Sequence, residues 1–388
     1  MITMKKRCPN KVIVIGDNHV NTLGLLRSLG KCGYQPILVE ITNKNNFNLL
    51  AHCRYVSQQH IVETPEEGID FILSKFGDEP IKPVIIPMSD RIAKTIDNRY
   101  SLLSDRFIVS SVKAEQGELS NLLSKDEMRK IANECGLLTP PSWVVNWNDK
   151  RDLPHDIKYP CIIKAISSSI GRKDLNIYHT DKQLIDGLNA LSEESSVIQI
   201  QQYLKKDFEI LYNGYSLGTG RHAISCVILK KRQYPWEIGG FAYGQVSRDI
   251  GKYIPIDKLN RFLDTIDYNG IFSIEFMYAQ NEFFFLEINL RNDATSYLST
   301  IGGINLPDRW IQANLSQRIP DCNLISRTFY GSNALKDMEN ARNGYITWFS
   351  WLKDLLRIKG DTFYSFKDPM PNILYWLNAI KTKIHRFI

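Results

Sequence analysis

Two apolar runs, Ile271 to Tyr278 (IFSIEFMY) and Glu282 to Leu290 (EFFFLEINL), each carry a carboxylate where a buried strand has no ordinary use for one. Their aromatic and β-branched content reads as strand, and the short polar gap between them reads as a hairpin. Burying a lone carboxylate is expensive, so Glu275 and Glu287 each demand a cation or several donors. Glu287, Asn289 and Arg291 alternate, which sets all three on one face of the second strand. A three-residue loop, Ala279-Gln280-Asn281, puts Glu275 on that face too, one diagonal step from Glu287; a loop of two or four residues sends it to the other face. Three oxygen ligands on one face suit a hard cation such as magnesium, which keeps some waters and completes its shell with phosphates. Arg291 is then placed to steady a transferring phosphoryl group or to clamp a carboxylate. The plain alternative is a buried Glu–Arg pair, which accounts for either glutamate alone but poorly for the whole E-x-N-x-R set with a second glutamate upstream.

Near the start, Lys11 to Gly16 (KVIVIG), the helical pattern Leu23, Leu25, Leu26, Leu29, and Pro36 to Glu40 (PILVE) form a strand-helix-strand unit. Val84 to Pro87 and Arg106 to Ser110 continue the alternation, so residues up to about 112 predict a doubly wound α/β domain with a mostly parallel, buried sheet. A dinucleotide fingerprint fails here, because Asn18 and Asn21 stand at its second and third glycine positions, although Glu40 is placed for a ribose contact. Asp17, Asn18 and His19, with Ser89 and Asp90, predict instead a polar crevice at the strand ends; taken singly, each residue also reads as a helix cap or turn residue.

Further along, Ser124-Lys125-Asp126-Glu127 predicts a helix start, with the helix running through Cys135 and closing at Gly136. Pro140-Pro141 forces an extended entry into Ser142 to Val145. Tyr159 to Ala165 (YPCIIKA) is a strand with one lysine, Lys164, leading into the small-residue loop Ser167-Ser168-Ser169-Ile170-Gly171-Arg172. Small side chains let backbone N–H groups close over phosphates while Lys164 and Arg172 supply charge. Alone, such a loop is more often a simple hairpin connection. Val197 to Leu204 (VIQIQQYL) is a strand ending in a linker whose backbone groups can pair with an adenine edge, and Glu209 is spaced to meet ribose hydroxyls.

The 388 residues exceed what one core usually serves, which points to two or three packed units. The formal charge of +6 is spread along the chain without interleaved aromatics, which argues against nucleic acid as a partner. Seven scattered cysteines with no CxxC pair support neither a disulfide framework nor a zinc site, and no apolar run reaches the ~18 residues of a membrane span, so a cytoplasmic protein is expected.

The order of these features resembles the ATP-grasp superfamily over roughly residues 10 to 315, in its carboxylate-amine ligase form, similar to the carbamoyl-phosphate synthases and D-aspartate ligases. The resemblance rests on Gly16 and the helix after it, Ser89-Asp90, Ser124 to Asp126, Tyr159 to Lys164, Ser167 to Arg172, Gln201 to Leu204 with Glu209, and Glu275 with Glu287 to Arg291. It implies an N-terminal doubly wound α/β domain (1–115) and a two-subdomain α+β ATP-grasp fold with a helical C-terminal tail (319–388). The small subdomain (116–200) would carry the phosphate lid and the large one (201–318) the metal site. Implied cofactors are ATP and Mg2+, as two ions, with Mn2+ as an alternative. Lys125 and Lys164 would touch phosphates, Ser167, Ser168, Ser169 and Gly171 would form the lid, and Gln202, Tyr203 and Leu204 would frame adenine. Glu209 would hold ribose, Glu275, Glu287 and Asn289 the metal, and Arg291 would face the acyl phosphate. Arg248 joins Arg291 as a catalytic candidate, and Arg221, Arg248 and Arg291 with the N-terminal crevice would bind a carboxylate and an amine.

The implied chemistry is phosphoryl transfer to the acid, then amine attack with loss of phosphate; a carboxylase, an acyl-phosphate kinase or an inert nucleotide-binding module are the alternatives on the same scaffold. Two departures stand out: Gln202 where many relatives have glutamate, and one glycine in the lid where others have several. The basic amphipathic end, Ile373 to Ile388 (ILYWLNAIKTKIHRFI), either packs on the protein or touches a membrane surface, and its aromatic stripe favours packing. With Lys367-Asp368-Pro369-Met370-Pro371 before it, this tail resembles ATP-grasp proteins of surface-polysaccharide or cell-wall assembly.

Overall fold

A computed structural model of the chain describes residues 8–42, 48–148, 151–165, 176–192 and 197–384. Strands β1 (Val12–Asp17), β2 (Ile37–Ile41), β3 (Gln58–Val62) and β4 (Val84–Pro87) form a parallel sheet in the order β3-β2-β1-β4. Alternate residues of β1 feed two cores: Val12 and Val14 pack with Leu23, Leu26 and Leu29 of helix Val20–Lys31, while Ile13 and Ile15 pack with helices Pro65–Phe76 and Asp90–Asp97. Burial on both faces is why this strand reads as a continuous apolar run. The expected strand at Arg106 to Ser110 shrinks to one bridge, Val84 to Ile108. At the edge, β3 had no apolar signal, because its Gln58, Gln59 and His60 are only partly covered. Strand order reverses between β1 and β4, and a crevice opens at such a switch point.

After β5 (Ser111–Val112), the strands β6 (Ser142–Asn146), β7 (Cys161–Ala165) and β8 (Val197–Gln202) make a small antiparallel sheet ordered β6-β8-β7, packed on helix Asp181–Ser192. The large sheet holds β9 (Phe208–Leu217), β10 (His222–Tyr234), β11 (Gly240–Ser247), β12 (Tyr268–Ala279), β13 (Glu282–Asn289), β14 (Phe329–Ser332) and β15 (Ile358–Asp361). Their order is β13-β12-β9-β10-β11-β14-β15, with β5 paired to β12.

One face of this sheet, through Ile210, Tyr212, Phe272 and Ile274, packs on Met128 and Ala132 of helix Lys125–Glu134 and on helix Ile256–Ile266. The expected cut at residue 116 gave helix Lys125–Glu134 to the small subdomain; its apolar face packs instead on the large sheet. The other face, through Leu211, Tyr215 and Ile228, shares one core with the N-terminal helix, Leu298 and Trp310. Glu209, Glu275 and Lys230 continue the alternation of that face, and so lie on the side of the N-terminal domain.

The section after residue 319 is not a helical appendage, since β14 and β15 extend the large sheet and helix Ala334–Arg342 packs on β10 and β11. A buried ion pair, Arg27 Nε to Asp368 Oδ2 at 2.9 Å, ties it to the N-terminal domain. In the last helix, Met370–Ile384, Tyr375 packs on the core while Ile373, Leu377 and Ile380 stay exposed, so the expected packing covers only part of the apolar surface. Among the described residues, no helix is long and apolar enough to cross a membrane.

Candidate active site

The hairpin between β12 and β13 turns through two residues, Gln280 and Asn281, both at positive φ (51° and 64°), the geometry of a tight primed turn. This corrects the expected three-residue loop, and by itself a two-residue turn would set Glu275 opposite Leu286 and away from Glu287. A β-bulge between Glu275 and Phe276 absorbs Leu286 and restores the register, so that Glu275 lies directly opposite Glu287 and Ser273 opposite Asn289. The three oxygen-bearing side chains therefore share a face by a different route, as a direct cross-strand pair rather than a diagonal one. Asn289 donates its Nδ2 to Ser273 Oγ (3.1 Å), and its Oδ1 accepts from Arg291 Nη2 (3.0 Å).

Glu275 sits in a chain of buried charge. Lys230 Nζ donates to Glu275 Oε2 (2.6 Å) and to Glu209 Oε2 (3.0 Å), while Gln233 Nε2 (2.8 Å) and Lys206 also donate to Glu209. Burial pushes the Glu275 carboxyl up to about 7; Lys230 resists this and the facing Glu287 adds to it. Glu209 goes the other way: burial opposes its charge, but Lys230 and Lys206 together hold its carboxyl below the usual range. Arg291 is half-buried, yet Asp90, Asp293 and Glu287 keep its guanidinium charged, with Nε donating to Asp90 Oδ1 at 3.0 Å. The Glu275–Glu287 pair thus sets two carboxylates face to face, a charge that a divalent cation would relieve. Among the described residues, no three His, Cys, Asp or Glu side chains gather into a metal cluster. The donors here are two carboxylates and an amide oxygen, a hard set that fits magnesium better than zinc.

On the small sheet, Lys164 Nζ donates to Gln201 Oε1 (2.6 Å), whose Nε2 donates to Ser142 Oγ (3.3 Å). Lys125 opens its helix, half-buried, at the helix N-terminus. The backbone N–H groups of Gln202 and Tyr203 are taken by the Pro141 and Pro160 carbonyls, both at 2.8 Å, so those two amides do not serve adenine. Leu204 instead joins Met277, Ala279, Phe284 and Leu286 in a small apolar cluster. Ser167, Ser168, Ser169 and Gly171 lie outside the described residues.

A cavity of about 770 Å³ opens beside Glu275 and Arg291. Asp17, Asn18, His19, Ser89 and Asp90 line it, as the crevice reading expected. Arg248 and Arg221 do not. Arg248 is exposed and reaches Ser326 O at 3.4 Å; Arg221 bonds Leu217 O at 2.9 Å, which keeps it on its own turn. Sequence reasoning also missed Lys230, Asp293, Asn333, Lys336 and Thr362 on the cavity wall. Only Lys230 had a local signal, a charge at the end of the apolar run Cys226 to Leu229.

An α/β domain, a small antiparallel sheet and a large sheet bearing paired carboxylates beside a deep cavity make up the ATP-grasp fold. No family model matches the sequence. The chain is similar to formate-dependent phosphoribosylglycinamide formyltransferase of Prochlorococcus marinus, 20% identical over 303 residues that cover 70% of this chain and 76% of that protein. It is also similar to D-aspartate ligase of Enterococcus faecium, 24% identical over 253 residues, 60% of this chain and 58% of that protein. Among solved structures, N5-carboxyaminoimidazole synthetase from Staphylococcus aureus superposes with a TM-score of 0.66 at 16% identity, covering 88% of this chain and 87% of that one. L-amino acid ligase from Bacillus licheniformis gives 0.61 at 13% identity, covering 83% and 79%. What the chain shares with these solved structures is the ATP-grasp fold.

Proposed function

We propose that this protein is an ADP-forming carbon-nitrogen ligase, which activates a carboxylate as an acyl phosphate and passes the acyl group to an amine. The observation that carries this reading is the Glu275–Glu287 pair with Asn289 and Arg291 on one sheet face, of which Glu275 and Arg291 line the cavity. Glu275, Glu287 and Asn289 would hold Mg2+, which when bound neutralises charge on the transferring phosphoryl group. Lys230 holds Glu209 and Glu275 in place by hydrogen bonds to both, and Arg291, braced by Asp90 and Asn289, orients the acid. One carboxylate oxygen bonds to the γ-phosphorus of ATP as ADP leaves; the amine nitrogen then bonds to the acyl carbon, phosphate departs and the nitrogen loses its proton. Positioning and charge supply most of the rate in such transfers, so no protein nucleophile is required. Lys125, Lys164 and the 167–171 loop are proposed to hold the phosphates, Leu204 and the groups of Gln202 and Tyr203 other than their backbone amides the adenine, and Glu209 the ribose.

ADP release from ATP and Mg2+ tests the reading against a panel of acids, bicarbonate included, each with and without an amine. ADP formed only when acid and amine are both present supports ligation. Release with bicarbonate alone would favour a carboxylase, and no release with any pair would leave only a nucleotide-binding module.

A further inference from the structure

The cavity contains a cation that phosphoryl transfer does not use. Lys336, from helix Ala334–Arg342, lines it, and the Lys336 side chain has no hydrogen bond or ion pair with a described residue. Arg291, Lys230, Arg91 and Lys94 line the same cavity; the first three are each held by a carboxylate, Asp90, Glu275 with Glu209, and Asp17 respectively, while the side chain of Lys94, on helix Asp90–Asp97, also has no hydrogen bond or ion pair with a described residue. The ammonium of Lys336 lies against Gly240, where a Cβ would stand 2.8 Å from Nζ. Burial lowers the Lys336 pKa, and Asp293 only partly restores it. An ammonium in that setting is stabilised by a facing anion.

His19 stands within electrostatic reach of Lys336. Its Nδ1 accepts the Asn21 backbone N–H at 3.1 Å, so the neutral ring carries its proton on Nε2 and remains a donor. Burial, with Lys336 and Arg291 nearby, lowers the His19 pKa and keeps the ring neutral at pH 7. The same residue caps helix Val20–Lys31, whose N-terminal amides add partial positive charge.

We propose that the acid carries a second anionic group, a carboxylate or a phosphate, which Lys336 and His19 hold while its reacting carboxylate lies at Arg291. The proposal rests on the ligase reading for the identity of the reacting group, but the anion seat itself does not depend on turnover. It also gives the section after residue 319 a direct part in substrate choice, since Lys336 belongs to it.

Isothermal titration calorimetry with ADP and Mg2+ present tests this with matched pairs: succinate against succinamate, glutarate against glutaramate, and phosphoglycolate against glycolate. At least one dianion should bind about 30-fold tighter than its singly charged partner, the scale of one buried charge contact. Which pair discriminates tells carboxylate from phosphate. Lys336→Met should erase the preference, Lys336→Arg should retain most of it, and His19→Ala should weaken the dianion roughly 5-fold. ADP affinity should stay within about twofold of wild type in all three variants. The proposal is overturned if no dianion outbinds its partner, if Lys336→Met weakens both members equally, or if that variant loses ADP instead. Lys336-dependent dianion binding without ADP release for any amine would keep the anion seat and sink the ligase reading.

Discussion

Arg27 is a fully buried ionisable group and Glu275 a largely buried one, and their surroundings treat them in opposite ways. Arg27 is closed: Nε meets Asp368 Oδ2 at 2.9 Å, Nη2 meets the Asp368 carbonyl (2.9 Å) and Asn372 Oδ1 (3.3 Å), and Nη1 donates to the Phe363 carbonyl. The second oxygen of Asp368 accepts the Arg54 backbone N–H at 3.0 Å, so nothing in the cluster awaits a further partner. Glu275 is open, with one lysine shared between it and Glu209 and a second carboxylate facing it across the strands. Closed charge fastens the C-terminal section to the N-terminal domain; open charge is what a ligand-binding site looks like before its ligand. Glu40 lies between the two, with Oε2 taken by Asn48 (2.7 Å) and Gln59, and Oε1 without a hydrogen-bond partner among the described residues.

The contrast breaks if the open cluster proves structural. Glu287→Gln should cut turnover by at least roughly 10³-fold, because several kcal/mol of charge stabilisation is lost at about 1.4 kcal/mol per decade, while the melting temperature stays near wild type. Undiminished turnover would return the pair to a structural role. Arg27→Ala should do the reverse, lowering stability by about 3–5 kcal/mol in urea unfolding because Asp368 is left buried and alone. A loss below about 1 kcal/mol would mean that this network does not fasten the section.

Lys230→Met sharpens the boundary between the two kinds of cluster. It should destabilise the metal-free protein by about 3 kcal/mol, and Mg2+ should raise the melting temperature of the variant more than that of wild type. An equal response to Mg2+ in both proteins would separate Lys230 from the cation site. The smallest effect belongs to Glu40, whose carboxyl burial holds above its usual range. A raised carboxylate pKa costs stability when the group is ionised, and that cost disappears as pH falls through the folded pKa to the ordinary glutamate value of 4.5. Glu40→Gln should therefore be more stable than wild type at pH 8, by about 1 kcal/mol, and the gap should close near pH 4. A gap that is flat with pH would detach it from ionisation.

Much of the site was legible because buried carboxylates in apolar strands are rare and costly, so Glu275 and Glu287 announced themselves without any tertiary information. The crevice residues from Asp17 to His19 and Ser89-Asp90 followed from the general behaviour of parallel strand ends. Arg248 misled because an arginine's reach from a strand end says nothing about direction; it turns outward to Ser326. Asp368 carried a sequence hint about pathway only, and the fold makes it the counter-ion of a residue 341 positions away.

The alternation of polar and apolar residues determined the strands, their buried faces and the presence of charge that needed a partner, because those properties are local to a few residues. Only the tertiary structure decided the bulge at Leu286 that sets Glu275 against Glu287, the sharing of Lys230, and the entry of Lys336 into the cavity. Each depends on strands or helices far apart in the chain meeting at one register, and no window of sequence contains both partners.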